Sequence, residues 1–335
     1  MIKVAVIGGG YMGTGHVRAY TRKKGVELIA VCDPNEVRGR VLAKEYNVRW
    51  LPDYQAVLEE GVDAVSVAVP TDLHCRVAAD FLADGIPVLL EKPIAATVEE
   101  GEALVRLSRK KAVPLQIGHI ERFNPAVRKL SSELRTPKYL EIHRLGPFKG
   151  RGIEVSVVAD LMIHDIDLVL DLVNSEMPGT IEIEEITALG LSAFTETADI
   201  ATARITFDNG VVANLTASRI SDKSMRKVRV FETDRYWSLD CEHQELISYH
   251  KNPEDSWRKK ERPNLEDLLV RQAIPIEKAE PLSLEIDSFL SAIKSGEEPE
   301  VSGEDGVRAL KVAFQIEERI KQSPCHSEQS EESIL

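Results

Sequence analysis

Three glycines, Gly8, Gly10 and Gly13, stand at G-x-G-x-x-G spacing in Gly8-Gly9-Gly10-Tyr11-Met12-Gly13, directly after the apolar run Lys3–Ile7. At that spacing the first glycine makes a tight turn and the second lets backbone approach a pyrophosphate. The third lets a helix pack closely on a strand, and the helix N-terminus offers amide donors to the anion. Asp33 lies about 20 positions beyond Gly13, where such a loop sets an acid against the adenosine ribose hydroxyls. A glycine turn alone is often only a turn, and Asp33 before Pro34 often only a turn residue. The strand, the glycines and the acid in register together point to a dinucleotide. A carboxylate there repels a 2′-phosphate, so NAD is expected over NADP, a preference that Arg38 and Arg40 nearby soften.

Two further groups could do chemistry. Lys92 follows Val88-Leu89-Leu90-Glu91, and a lysine at the carboxyl end of a parallel strand sits at the ligand-binding edge of the sheet. Asp160, His164, Asp167 and Asp171 are spaced four, three and four along the segment Val157–Val173, otherwise apolar except for Asp165, which places them on one helical stripe. A helix apolar on nearly all sides is buried, so that stripe must face a cleft or a partner. The bland alternatives are a solvated strand-end lysine and a core histidine capped by Asp160.

The elements that must position these groups can be read from length and pattern. A chain of 335 residues suggests two domains. Its net charge of −13 argues against general nucleic-acid binding. No run is apolar for the ~20 residues that a bilayer demands. The four cysteines have no metal-type or paired spacing, so no metal site and no disulfide are expected. The chain opens on a strand with no signal peptide, and a cytoplasmic location is expected. Residues 1–120 alternate short β-branched runs (Lys3–Ile7, Glu27–Cys32, Ala64–Val69, Val88–Glu91, Leu115–Gly118) with amphipathic helices, the signature of a doubly wound parallel sheet. Residues 121–321 read as an α/β domain with a largely antiparallel sheet: Tyr139–Leu145, Ile183–Ser192, Ile200–Phe207, Val211–Ser218, Lys227–Glu232 and Arg235–Asp240. Asp208-Asn209-Gly210 is a hairpin signal. Glu285–Lys294 and Gly303–Lys321 read as helices returning toward the first domain. Residues 322–335 are expected to be a disordered tail.

The glycine loop, Asp33, Val69-Pro70-Thr71 with His74, Glu91-Lys92-Pro93 and the Asp160-x-x-x-His164 pair together resemble the Gfo/Idh/MocA oxidoreductase family. The likeness runs to about Lys321. Gly118-His119-Ile120-Glu121-Arg122-Phe123-Asn124-Pro125, Asp160-Leu161-Met162-Ile163-His164-Asp165 and Asn214-Leu215-Thr216-Ala217-Ser218-Arg219 are similar to the family's branch of bacterial UDP-N-acetylglucosamine 3-dehydrogenases. The resemblance implies an N-terminal Rossmann domain holding NAD through Gly8, Gly10, Tyr11, Met12, Gly13, Asp33, Pro70, Thr71, His74, Glu91 and Lys92. It implies a C-terminal domain whose open sheet makes a homo-oligomer, a dimer or tetramer, and a cis peptide before Pro93. Lys92 would touch the nicotinamide ribose and the substrate hydroxyl, and His164 would be the general base, oriented by Asp160. Those roles suit alcohol oxidation, which needs a base near neutral pH and a cation for the developing alkoxide.

In that branch the product, a 3-keto sugar, feeds an aminotransferase and then lipid A. A diphosphate substrate calls for arginine forks. Arg122, Asn124 and Arg144 are the expected substrate residues alongside His164, ahead of Arg151, Arg219 and Arg226. The competing readings are an inositol or other sugar dehydrogenase of the same family, and a non-catalytic NAD(H)-sensing regulator.

Overall fold

The computed structural model describes residues 1–148, 150, 153–174, 181–253, 258 and 260–323. The chain divides into two compact units, 1–123 with 280–311 and 124–279 with the residues from 312 on. Where the sequence reading set a boundary at 120/121 with the last helices returning toward the first domain, the helix Pro281–Ser295 and the start of the helix Gly303–Gln322 are part of the first unit. The expected tail begins inside that last helix at Gln322, and residues 324–335 lie outside the described ones.

In the first unit, β1 (Ile2–Ile7), β2 (Val26–Cys32), β3 (Arg49–Leu51), β4 (Ala64–Val67), β5 (Val88–Glu91) and β6 (Leu115–Gly118) form one parallel sheet. β4, β5 and β6 are buried along their whole length, as strands covered on both faces must be. The order β3-β2-β1-β4-β5-β6 reverses direction between β1 and β4. Ligands bind outside the carboxyl ends of the strands at such a switch point. The helices between strands start on local signals: Asn35 accepts from Arg38 N, and Thr97 with Glu100 forms a capping box. Val4, Val6, Val17, Tyr20 and Leu89 share a core cluster with Leu282, Ile286, Phe289 and Leu290 of the 281–295 helix.

The second unit is built on β7 (Tyr139–Leu145), β8 (Ile183–Leu191), β9 (Ile200–Phe207), β10 (Val212–Ser218), β11 (Met225–Phe231), β12 (Arg235–Asp240), β13 (Glu245–Lys251) and β14 (Leu269–Ile274). Their order is β14-β13-β12-β11-β7-β10-β9-β8, antiparallel except for the β7–β10 pair. The Asp208-Asn209-Gly210 turn joins β9 to β10, with Gly210 at φ +79°. Burial alternates along β9 and β10, so one face is core and the other is partly open. The core face carries the helix Ile163–Asn174, preceded by a π-helical turn over Val158–Met162 where the sequence pattern reads as one uninterrupted α-helix.

Candidate active site

The glycine loop leaves β1 and enters the helix Tyr11–Tyr20. Gly8 has φ +99°, and a Cβ there would meet the Ala68 carbonyl oxygen at 2.3 Å. A Cβ on Gly13 would lie 1.8 Å from the Gly8 carbonyl oxygen. Gly10, the helix N-cap, differs: a Cβ there meets nothing within 4 Å and its φ of −70° suits any residue. Gly8 and Gly13 are thus required by the fold, whereas Gly10 borders open space at a helix N-terminus. That is the cradle a pyrophosphate fits. Tyr11 is exposed and Met12 half-buried beside it.

Asp33, at the carboxyl end of β2, is 1% exposed. Its carboxylate accepts from Gly9 N at 2.7 Å, Asn35 N at 2.8 Å and the Arg38 guanidinium at 2.8 and 2.9 Å. Burial opposes its ionisation, but these bonds prevail and hold its pKa below the usual carboxylate range. The acid expected for the ribose is therefore next to the glycine loop, with Arg38 on it. Arg40 is turned away, bonded to Glu36 and stacked over Trp50.

Past β4, the exposed Pro70 caps the helix Thr71–Ala83, with Thr71 half-buried as its first residue. His74 is buried between two carbonyls, Nδ1 at 2.7 Å from Pro93 O and Nε2 at 2.9 Å from Val69 O. Burial lowers its pKa more than the two carbonyls raise it. The imidazole pins the β4 loop to the loop after β5. There Glu91 ends β5, Lys92 is half-buried and the Lys92–Pro93 peptide is cis. The Glu91 carboxylate meets His16 Nε2 at 2.9 Å, and His16 Nδ1 lies 3.2 Å from Ser66 Oγ, which bonds the Tyr20 hydroxyl at 2.8 Å. His16 escaped the sequence reading; its signal was a histidine three places beyond Gly13 on the buried side of the first helix.

In the second unit, Asp160 lies in the π-helical turn and His164 on the first turn of the following helix. Asp160, His164 and Asp171 are all partly exposed, whereas Asp165 and Asp167 are buried. The π turn adds a residue per turn, so it shifts the phase of Asp160 relative to His164, Asp167 and Asp171, which share one regular helix.

The expected substrate residues are engaged within the fold. Arg144 of β7, 6% exposed, donates from Nε to both Asp165 oxygens at 3.0 Å and from Nη2 to Oδ1 at 2.7 Å. Asn124 caps the helix Pro125–Glu133 through its Oδ1, and its Nδ2 donates to Cys241 O at 2.9 Å. Arg122 belongs to the first unit and lies 3.8 Å from Asp305. Arg219 is buried against Asp199 at 2.8 Å. Arg151 lies outside the described residues. Arg144, Asn124 and Arg219 thus each have partners within the fold. Among the described residues no helix is long and apolar enough to cross a membrane.

Comparison with known proteins agrees with the two domain types described above. The profile described as the oxidoreductase family, NAD-binding Rossmann fold, matches residues 2–119, and that of the family's C-terminal alpha/beta domain matches residues 149–323. UDP-N-acetylglucosamine 3-dehydrogenase of Acidithiobacillus ferrooxidans is 37% identical over 316 residues, covering 94% of this chain and 96% of that protein. A solved structure of that enzyme superposes with a TM-score of 0.87 at 35% identity, over 96% of this chain and 98% of the other. scyllo-Inositol 2-dehydrogenase (NAD⁺) of Bacillus subtilis is 28% identical over 66% of this chain and 68% of its own length.

Proposed function

This chain belongs to the Gfo/Idh/MocA family of NAD-binding oxidoreductases, and from that premise we propose that it oxidises the 3-hydroxyl of UDP-N-acetylglucosamine to the 3-ketone. The observation that carries the substrate is the 37% identity to a UDP-N-acetylglucosamine 3-dehydrogenase across nearly the whole of both chains. Bound NAD supplies the acceptor for the hydride that leaves the carbinol carbon. The residues fit that group: Gly10 leaves room for the pyrophosphate, and Asp33, paired with Arg38, lies next to the glycine loop where the adenosine ribose would sit.

The protein's own residues do the rest. His164, oriented by Asp160, takes the hydroxyl proton, and the Lys92 ammonium stabilises the alkoxide as it forms. Carbon–hydrogen and oxygen–hydrogen bonds break, a carbonyl forms, and the products are the 3-keto sugar, NADH and a proton. The open face of the large sheet, with Glu141, His143, Thr202, Arg204, Asn214 and Thr216 across neighbouring strands, suits a homo-oligomeric contact. The location is cytoplasmic, and the 3-keto product calls for an aminotransferase downstream.

Inositol oxidation is the second reading, and one observation favours it. Arg144 and Arg219 each pair with a buried aspartate, which leaves less positive charge for a diphosphate. The purified protein with NAD and a carbonyl trap should form NADH with UDP-N-acetylglucosamine, and much less with its 6-carboxylate relative or with myo-inositol. Turnover of myo-inositol alone would overturn the nucleotide-sugar reading. No NADH from any of the three would favour a sensor.

A further inference from the structure

Inside the first unit lies a second carboxylate that the reaction does not use. Glu285 sits on the apolar stripe of the helix Pro281–Ser295, among Leu282, Ile286 and Phe289, and is 0% exposed. Neither carboxyl oxygen has a hydrogen-bond partner among the described residues. Only its backbone is held, with Gln116 Nε2 of β6 donating to its carbonyl at 2.9 Å. One ligating atom each of Glu285, Glu91 and His16 lie within 4.8 Å of one another. The strand-end carboxylate that precedes Lys92 therefore faces a second buried carboxyl, and His16 is the one basic group of that cluster.

Two carboxylates cannot both be charged there at acceptable cost. An unpaired buried charge neutralises by taking up a proton, and two carboxylates sharing a site push one pKa strongly upward. Glu91 already has His16 at 2.9 Å, so Glu285 is the member left to take the proton. Burial, reinforced by the Glu91 charge, raises its pKa well above the usual carboxyl value. The titratable groups that face it from the elements packed around it are Glu91 of β5 and His16 and Tyr20 of the first helix; Ser66 and Gln116 complete the polar surroundings.

We propose that Glu285 is a positioning residue for Lys92: it holds a proton, offers it to the Glu91 carboxylate, and with His16 fixes the end of β5 from which Lys92 extends. With that proton turned toward it, Glu91 would have His16 at 2.9 Å on one side and the Glu285 carboxyl, within 4.8 Å, on the other, which would give its side chain one setting for the adjoining residue to inherit. Nothing is transferred to substrate from Glu285.

The inference rests on Lys92 acting in the reaction, so its test has a readout independent of turnover. Infrared difference spectra of the whole protein at neutral pH should show a protonated-carboxyl stretch that disappears in Glu285→Gln. In the same preparations, Glu285→Leu should lower kcat roughly tenfold with KM for the sugar within about twofold, and Glu285→Gln, which keeps a neutral donor, should restore most of the turnover. A Lys92→Ala control with unchanged kcat would remove the Lys92 role while leaving the infrared band in place. The absence of the band overturns the proposal. So does equal turnover in Glu285→Leu and wild type, or a fall in which the Gln variant is no better than Leu. Stabilisation by added Mn²⁺ or Zn²⁺ that is lost in Glu285→Gln would replace the shared proton with a cation site.

Discussion

Individual side chains separate what the fold demands from what a ligand demands. Gly13→Ala should unfold or strongly destabilise the first unit, because its Cβ would sit 1.8 Å from a backbone oxygen. Gly10→Ala has no such clash; its melting temperature should stay near wild type while NAD affinity falls roughly tenfold, equivalent to 1.4 kcal/mol. Calorimetric titration of the two variants decides it, and equal destabilisation by both would mean that Gly10 serves packing after all. His164→Ala should reduce kcat by ~10²–10⁴, the range for a positioned acid–base group, with NAD affinity nearly unchanged because the glycine loop and Asp33 belong to the other unit. If turnover survives in the folded variant, the histidine is a core residue and the base lies elsewhere. Asp33 was legible from its distance to the glycines. Its Arg38 partner was only half legible, since a nearby arginine can as easily turn away, as Arg40 does.

Between elements, the polar contacts are through-space matches that no local pattern reports. Asn124 before Pro125 looked like a ligand residue, yet Asn followed by Pro is also a helix start, and that is the use the fold makes of it. Arg144 joins β7 to the helix Ile163–Asn174 through Asp165. Arg144→Ala would strip the guanidinium from the buried Asp165, and losing one partner of a buried pair costs about 3–5 kcal/mol. A large fall in melting temperature should therefore dominate, partly relieved by Asp165→Asn, whereas a specific rise in sugar KM without destabilisation would return Arg144 to the substrate.

Asp199 is the acid-sensitive point of the second unit. Burial opposes its charge, but backbone amides of Phe194 and Thr195, the Thr195 hydroxyl and Arg219 hold its pKa at about 2, below the ordinary 3.8. Being depressed in the folded state, it contributes about 2 kcal/mol of stability above pH ~4. That contribution is lost as pH falls from there through about 2. Acid titration followed by circular dichroism should show Asp199→Asn less stable than wild type at neutral pH, with the gap closing toward pH 2. The strands flanking Asp199 were readable from alternation and from the Asn209-Gly210 turn. β3 was not, because three residues carry no period, nor were β13 and β14, which lie on either side of the polar stretch before Leu265.

At the scale of the molecule, the expected parallel and antiparallel sheets are both present, and the helices that follow the second sheet divide between the two units. Two segments separated by 156 residues build the first unit, and Gly190 on β8 presses against Ile320 of the last helix in the second. A fragment of residues 1–123 alone should be unfolded or aggregate. Supplying 280–311 by a linker should restore cooperative melting and NAD binding, and a stable, NAD-binding 1–123 fragment would show the added helices to be dispensable. The order of synthesis then acquires a meaning. The first strands emerge with Val4, Val17 and Tyr20 lacking the Leu282, Ile286 and Phe289 surface that covers them. At ~5–20 residues per second, that covering helix arrives roughly 13–53 seconds later. For that interval the nucleotide-binding half is a client for whatever shields apolar surface on a nascent chain, and it becomes an enzyme only when its own C-terminal region joins it.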